Sequence, residues 1–475
     1  MIKEFFKNIS IYGILPIVGK FLNFLLLPVY VKIFTPEEYG VVDLFEVLVL
    51  FLFVFASLQI PTAFGRYFYE NNTQEYKKEI FCTSFVLTII VSLITIVVAY
   101  LLKGPILRLY IESDKYGNLF DLSMLWLFVL NINTFLSFIP RYDNRPKLYV
   151  IVGIISVAIK LLASIFFVVY LRIGLPGVIY GYICGNTISA LLYAYISRGY
   201  FSLNFSSAFA KKTLKYVLPM LLGAVVIELW KPMLRVCINT FFSLSVLGLY
   251  AFAARINSIT TIVYGALGTA WMPMLFEKKD KLLENDNIKR ISGLVILCAF
   301  VLGTFIMLFA RELTLFIGTA EYLDSVVIIV FLLFAGVFKI LSQLRGFGPY
   351  INDKTVVVTI SNVVASLVGL AFFLLIGDRI GICIIGLVVL LYEFINYAIL
   401  VLYTQKKYKM NMHNRWEIPV LLLMVLSGIL SVFSTNLLYK ALAYVVCFAV
   451  ACVIAYNHYF KDKKLSELLA LRKRA

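Results

Sequence analysis

Charge is scarce in this chain. Only 15% of its 475 residues are Asp, Glu, Lys or Arg, against roughly 25% in soluble domains. Histidine is nearly missing: His413 and His458 are the two, which argues against a histidine-built metal centre. The seven cysteines (82, 184, 237, 298, 383, 447 and 452) show no C-x-x-C spacing and read as small buried hydrophobes, so neither a disulfide framework nor a zinc ribbon is expected. Long polar stretches are missing too. The connections between apolar runs reach about 18 residues at most, too few for an extramembrane catalytic domain. No nucleophile with its base and no phosphate-binding glycine loop is present, so an enzyme is not expected. No cleavable leader is expected either, because the first apolar run contains Pro16 and Lys20 and continues into a second.

What is present is apolar sequence, 62% of the chain, in blocks long enough to cross a ~30 Å hydrocarbon core. The pattern predicts an all-α polytopic membrane protein of about fourteen spans, near 9–32, 41–62, 80–102, 119–140, 148–171, 173–197, 216–239, 247–272, 291–310, 325–344, 355–377, 380–403, 416–433 and 441–460. The net charge of +17 lies in short segments between spans, which indicates topology and lipid contact and not nucleic acid. With the N-terminus inside, cytoplasmic segments hold 29 of the 43 basic residues and outer segments 8. Both termini are therefore expected in the cytoplasm, with the protein multi-pass in a bacterial inner membrane.

A faint repeat divides the chain. "LRIGLPGVIYG" (171–181) resembles "DRIGICIIGLV" (378–388), "ILPIVG" (14–19) echoes "VLPMLLG" (217–223), and "EYGVVDLF" (38–45) pairs loosely with "VLGLYAFA" (246–253), all at offsets of 203 to 208. Two six-helix lobes in parallel pseudo-two-fold repeat are expected, residues 1–197 and 216–405. A basic cytoplasmic linker at 198–215 joins them, and residues 406–475 add a final helix pair and a basic tail.

The remaining six basic residues, Lys20, Lys160, Lys231, Arg235, Arg255 and Lys339, fall inside spans, where each costs at least ~2.5–3.5 kcal/mol unless it faces something polar. Helical spacing aligns Glu228, Lys231, Arg235 and Asn239 within an arc of about 80°. It also places Lys20 beside a stripe containing Tyr12, Pro16, Gly19 and Asn23, and Lys160 between Ser156 and Ser164. Lys339 neighbours Ser342 and Gln343, and Glu393 neighbours Asn396 and Tyr397. Acids well inside spans are only Glu46, Glu228 and Glu393, with Asp43 nearer an end. Glu228 can neutralise Lys231 within one helix, so pairing and ligand binding both stay open there. The surplus of bases points to a hydrated cationic central cavity. Prolines 16, 28, 219, 232 and 273 fit either moving or statically kinked helices.

"YGILPIVGKFLNFLLLPVYVKIFTPEEYGVVDLF" (12–45) resembles the first two helices of bacterial O-antigen and capsule repeat-unit flippases (Wzx type). Their pattern is "LP.Y....T..EYG", and they belong to the multidrug/oligosaccharidyl-lipid/polysaccharide exporter superfamily. The resemblance extends in span count and length over essentially the whole chain. It implies two lobes around a cationic cavity that receives an undecaprenyl-pyrophosphate-linked glycan, with Lys20, Lys231, Arg235 and Arg255 as its cations. Asn23 and Asn239 would line it, and Lys160 and Lys339 would lie further out. Lipid II flippases of the same superfamily carry an arginine in helix two. Here that helix has Asp43 and Glu46, so the lipid II role is not transferred.

The expected function is movement of the lipid-linked repeat unit to the outer leaflet by alternating access, with no cofactor. An exchanged H+ or Na+ would be coupled through Glu228, Glu393 or Glu46. Expected partners are the lipid-linked glycan, membrane lipid and the polysaccharide polymerase machinery. The alternative is an ion-coupled multidrug-type antiporter on the same fold, which predicts twelve spans and an acidic cavity.

Overall fold

The structure, a computed structural model, describes residues 24–111, 114–143, 145–277, 287–377, 379–408 and 415–460, together with Gly19. Each of the fourteen apolar runs is met by a helix where its residues are described, the first only over Leu27–Ile33, and there is no strand among the described residues. Among the described residues ten helices are long and apolar enough to cross a bilayer unaided. Ser292–Leu308 and Ala310–Ile317 pass the same test together but are bent by 66°, the geometry of a broken span or a re-entrant loop, while Leu244–Thr260 and Glu417–Phe433 are shorter apolar helices. The chain divides into two compact units, Met1–Ala251 and Phe252–Ala475.

In the first unit, α1 (Leu27–Ile33) is the described end of the first run, and α2 (Pro36–Ser57) follows after two residues. The tight start of α2 is written in its sequence. Thr35 Oγ1 accepts from the Glu38 amide at 3.3 Å, and the Glu38 carboxylate accepts from the Thr35 amide at 3.1 Å, a capping box with Pro36 at the first helical position. Leu58 and Gln59, both left-handed at φ 43° and 54°, end it. Then come α3 (Gln74–Leu101), α4 (Gly117–Leu136), α5 (Pro146–Ile165), α6 (Leu175–Ile196) and α7 (Ser207–Phe241). The boundary between units falls inside α8 (Leu244–Glu277). Within this unit α6 packs on α4 and α5, and α2 packs on α3, α4 and α7.

The second unit continues with α9 (Asn287–Leu308), α10 (Ser325–Arg345), α11 (Val356–Ile376), α12 (Cys383–Tyr408), α13 (Glu417–Phe433) and α14 (Leu437–Ala455). Here α12 packs on α10 and α11, the same pairing that α6 makes with α4 and α5. The turns leading into α6 and α12 also match. Gly174 and Gly381, equivalent in the repeat, both take positive φ, 78° and 60°, a backbone region that favours glycine.

Lipid tails are as apolar as leucine, so helix association here depends on packing and on satisfied polar groups. Close approach is secured by small residues. A Cβ on Gly181 would lie 1.9 Å from Ser164 Oγ, and one on Gly185 2.7 Å from the Ser156 carbonyl oxygen, which brings α6 against α5. At one end of the first unit the core is aromatic, with Phe64, Phe68, Phe81 and Phe135 buried together. The Tyr200 hydroxyl at its edge bonds the Asp143 carboxylate. Burial, and then that bond, push the phenol's pKa upward.

Two buried ion pairs fasten the last helix pair to the second unit. Arg345, at the end of α10, grips Glu417 with Nη1–Oε2 at 3.0 Å and Nη2–Oε1 at 2.7 Å, and Nη2 also donates to Ser292 Oγ at 3.3 Å. Lys440, at the start of α14, is fully buried and meets both Glu312 oxygens at 2.8 and 3.1 Å.

Candidate functional site

The intramembrane charges gather in separate clusters. In the first unit, α7 carries Arg235 to Asp43 of α2. Arg235 Nε donates to Asp43 Oδ2 at 2.7 Å and Nη2 to Oδ1 at 3.4 Å, with side chains 9% and 14% exposed. Nη1 donates to the Lys231 carbonyl at 3.2 Å, and the guanidinium lies 5.2 Å from the centre of the Tyr250 ring. One turn further, Asn239 Nδ2 reaches the Tyr110 carbonyl at 3.5 Å. The buried Tyr110 hydroxyl has no hydrogen-bond partner among the described residues. Beside this cluster is an apolar groove of about 340 Å³ lined by Leu48, Phe51, Tyr110, Pro232, Met233 and Cys237, among others.

Lys231 points elsewhere. It pairs with Glu228 of its own helix at 2.5 Å, with the two side chains 50% and 32% exposed. Of the α7 stripe, then, Arg235 and Asn239 share a buried cluster, while Lys231 and Glu228 form a more open pair.

A second cluster joins α2, α5 and α6. The Tyr182 hydroxyl donates to the Glu46 carboxylate. Lys160 Nζ lies 3.7 Å from the centre of the Tyr182 ring, a cation–π contact, and Trp126 of α4 packs its ring 4.6 Å away. One turn along α6, Asn186 accepts from Asn133 at 3.0 Å and Ser189 donates to Asn133 at 2.7 Å.

In the second unit Lys339 of α10 meets Glu393 of α12 at 3.4 Å. Nearby, Asn362 accepts from Tyr392 at 2.6 Å and from Asn396 at 3.2 Å, and Ser361 donates to Asn396 at 2.8 Å. Arg255 is half-buried on α8 in this unit. Lys20 and Asn23 lie outside the described residues. No group of three His, Cys, Asp or Glu among the described residues is placed to hold a metal ion.

The structure adds residues that helical spacing did not single out. Asp43 was set aside as near a helix end, yet it is the partner of Arg235. Tyr182 carries no charge but links Lys160 to Glu46. Arg345, Glu417 and Lys440 lie at span ends, where a sequence reading assigns them to water. The one signal for Glu417 is its position at the very start of an apolar run.

The profile of a family described as "Polysaccharide biosynthesis protein" matches residues 5–279. The chain belongs to that polysaccharide biosynthesis family. Among solved structures, this polysaccharide biosynthesis protein resembles the lipid II flippase MurJ in an inward closed conformation, at 16% identity and TM-score 0.68, covering 94% of this chain and 98% of that one. It also resembles an inward-facing multidrug resistance MATE transporter of the MOP superfamily, at 16% identity and TM-score 0.64, covering 82% and 94%. The Vibrio cholerae MATE transporter VcmN follows at 16% identity and TM-score 0.59, covering 86% and 98%. No protein of curated function matches the sequence. The family member thus has the all-helical fold of these MOP transporters.

Proposed function

We propose that this polysaccharide biosynthesis protein is a flippase. It carries an undecaprenyl-pyrophosphate-linked oligosaccharide from the cytoplasmic to the outer leaflet of a bacterial inner membrane by alternating access. Membership of a polysaccharide biosynthesis family, in a chain with a transporter fold, carries this reading. The chemistry supports it. A pyrophosphate crossing a bilayer needs opposing charge on its route, which Lys and Arg supply through charge-assisted hydrogen bonds. Lys231 is half-exposed within its span, Arg255 is half-buried, and Lys160 lies beside hydroxyl and amide groups suited to a glycan. An anion leaving a negative-inside cell gains ~2.3 kcal/mol per charge per 100 mV. Exchange against H+ or Na+ through Glu228, Glu393 or Glu46 can add to that. Polymerase machinery would take up the product.

The test uses inverted membrane vesicles and a labelled undecaprenyl-pyrophosphate glycan, followed into the leaflet protected from added enzyme. Transport by the native chain that falls in Lys231→Ala and Arg255→Ala at matched expression supports the reading. The likeness to MATE structures keeps an ion-coupled small-molecule antiporter as the second reading. It moves to the front if the native chain translocates no glycan from a broad panel yet lowers drug accumulation in cells.

A further inference from the structure

Two features close the same end of the first unit. The first is a crossing of backbones. A Cβ on Gly40 of α2 would lie 2.3 Å from the Leu244 carbonyl oxygen, and one on Gly248 of α8 would lie 1.7 Å from the Pro36 carbonyl oxygen. Pro36 and Leu244 are separated by the same interval as Gly40 and Gly248, so the contact is reciprocal, as at a two-fold axis. Nothing larger than hydrogen fits at either position. The second is the Arg235–Asp43 pair, which ties α7 to α2 within two turns of that crossing.

The two features differ in kind. The glycine crossing is packing alone, and packing by itself has no switch. The ion pair is directional and almost dry, so its net worth while both partners are present is small, but removing either one is costly. Pro232, three residues before Arg235, interrupts the backbone bonding of α7 and gives that helix a place to bend. The Arg235 guanidinium is moreover a fork that suits a phosphate as well as a carboxylate.

We propose that Asp43 and Arg235 are the latch of an outer gate, clamping α7 to α2 while the glycine crossing keeps that end shut and parting when it opens. Outer is the side that the distribution of basic residues predicts for the start of α2. The latch rests on the transporter reading but not on any particular cargo. Its consequence for Arg235 is specific: in the shut state it serves Asp43, and it becomes available to an anion only once the latch has parted.

The test reads accessibility and not activity alone. Asn239→Cys, one turn beyond Arg235 and buried in the shut state, is labelled in intact cells by a membrane-impermeant maleimide, and the label at position 239 is quantified by mass spectrometry in the full chain. Labelling is expected to rise roughly tenfold or more when Asp43→Ala or Arg235→Ala is added, because a lone buried charge favours the open form. Asp43→Asn, which keeps the shape of the site, is expected to raise it less. The exchange Asp43→Arg with Arg235→Asp is expected to return it towards the starting rate. Unchanged labelling in Asp43→Asn and in the alanine variants, or no recovery in the exchange, overturns the latch. Vesicle translocation measured on the same variants separates the two proposals. Responsive labelling with no glycan moved keeps the latch and removes the flippase reading, while glycan transport with unresponsive labelling does the reverse.

Discussion

Gly40 and Gly248 are each other's equivalents in the internal repeat and each other's neighbours in the structure. Side chains at either position have nowhere to go, because the opposing atoms are backbone. Gly40→Val and Gly248→Leu are therefore expected to lower the thermal midpoint of the detergent-purified protein. The cost should be about 1–3 kcal/mol each, as for overpacked interiors. Melting followed by size-exclusion chromatography checks this, and an unchanged midpoint in both variants would contradict the crossing.

The two cations of α7 should separate in their effects. Arg235 is buried against Asp43, whereas the Lys231–Glu228 pair is half open to its surroundings. Lys231→Ala is expected to leave the midpoint nearly unmoved, since exposed pairs contribute ~0–1 kcal/mol. Arg235→Ala is expected to lower it clearly, because stranding a buried carboxylate costs ~3–5 kcal/mol. Equal effects in a side-by-side melt would mean the two sites have been assigned the wrong burial.

Arg345 and Glu417 offer a double-mutant cycle. Either Arg345→Ala or Glu417→Ala removes the ionic partner of a buried charge and is expected to cost about 3–5 kcal/mol, whereas Arg345→Met with Glu417→Leu should recover much of that loss. If the double variant is as unstable as the sum of the singles, the pair is not coupled in the folded protein.

Tyr182 joins Lys160 and Glu46 through two different parts of one side chain. Tyr182→Phe removes the hydroxyl that bonds Glu46 but keeps the ring under Lys160, so a loss of about 1.5–3 kcal/mol is expected, the worth of one hydrogen bond to a charged group. Tyr182→Leu removes both and should cost more. Indistinguishable melting curves for the two variants would leave the ring contact without a measurable contribution.

A chain ended after Tyr408 lacks α13 and α14. It leaves Arg345 without Glu417 and Glu312 without Lys440, and is expected to accumulate poorly in membranes. Full accumulation of the shortened chain, measured by quantitative blotting, would show that the last helix pair is dispensable for folding.

Much of this architecture was legible in the sequence because the bilayer leaves helices as the simplest solution to an apolar run. Where its residues are described, each expected span met a helix, and the turn glycines Gly174 and Gly381 match across the repeat. The charged clusters were legible only in part. Spacing along one helix aligns Glu228 with Lys231, but it is blind to partners on other helices. The Asp43–Arg235 and Lys339–Glu393 pairs are contacts of that second kind. Glu312, Lys440 and Glu417 stand near span ends, where spacing along one helix names no partner, yet the fold pairs Glu312 with Lys440 and Glu417 with Arg345. A surplus of bases over acids in mid-span remains a property of the sequence. How those bases are shared among carboxylates, rings and backbone is a property of the fold.

The Arg345–Glu417 pair also sets an order of events during synthesis. Its partners lie 72 residues apart, so at roughly 5–20 residues per second the ribosome delivers the arginine several seconds before the glutamate. Through that interval the Arg345 guanidinium at the end of α10 has Ser292 within reach but not yet the carboxylate of Glu417. The final helix pair is then less an appendage than a completion signal. A nascent chain that stalls before it arrives lacks the carboxylate that Arg345 meets in the finished protein, a difference in charge pairing between an unfinished chain and a finished one.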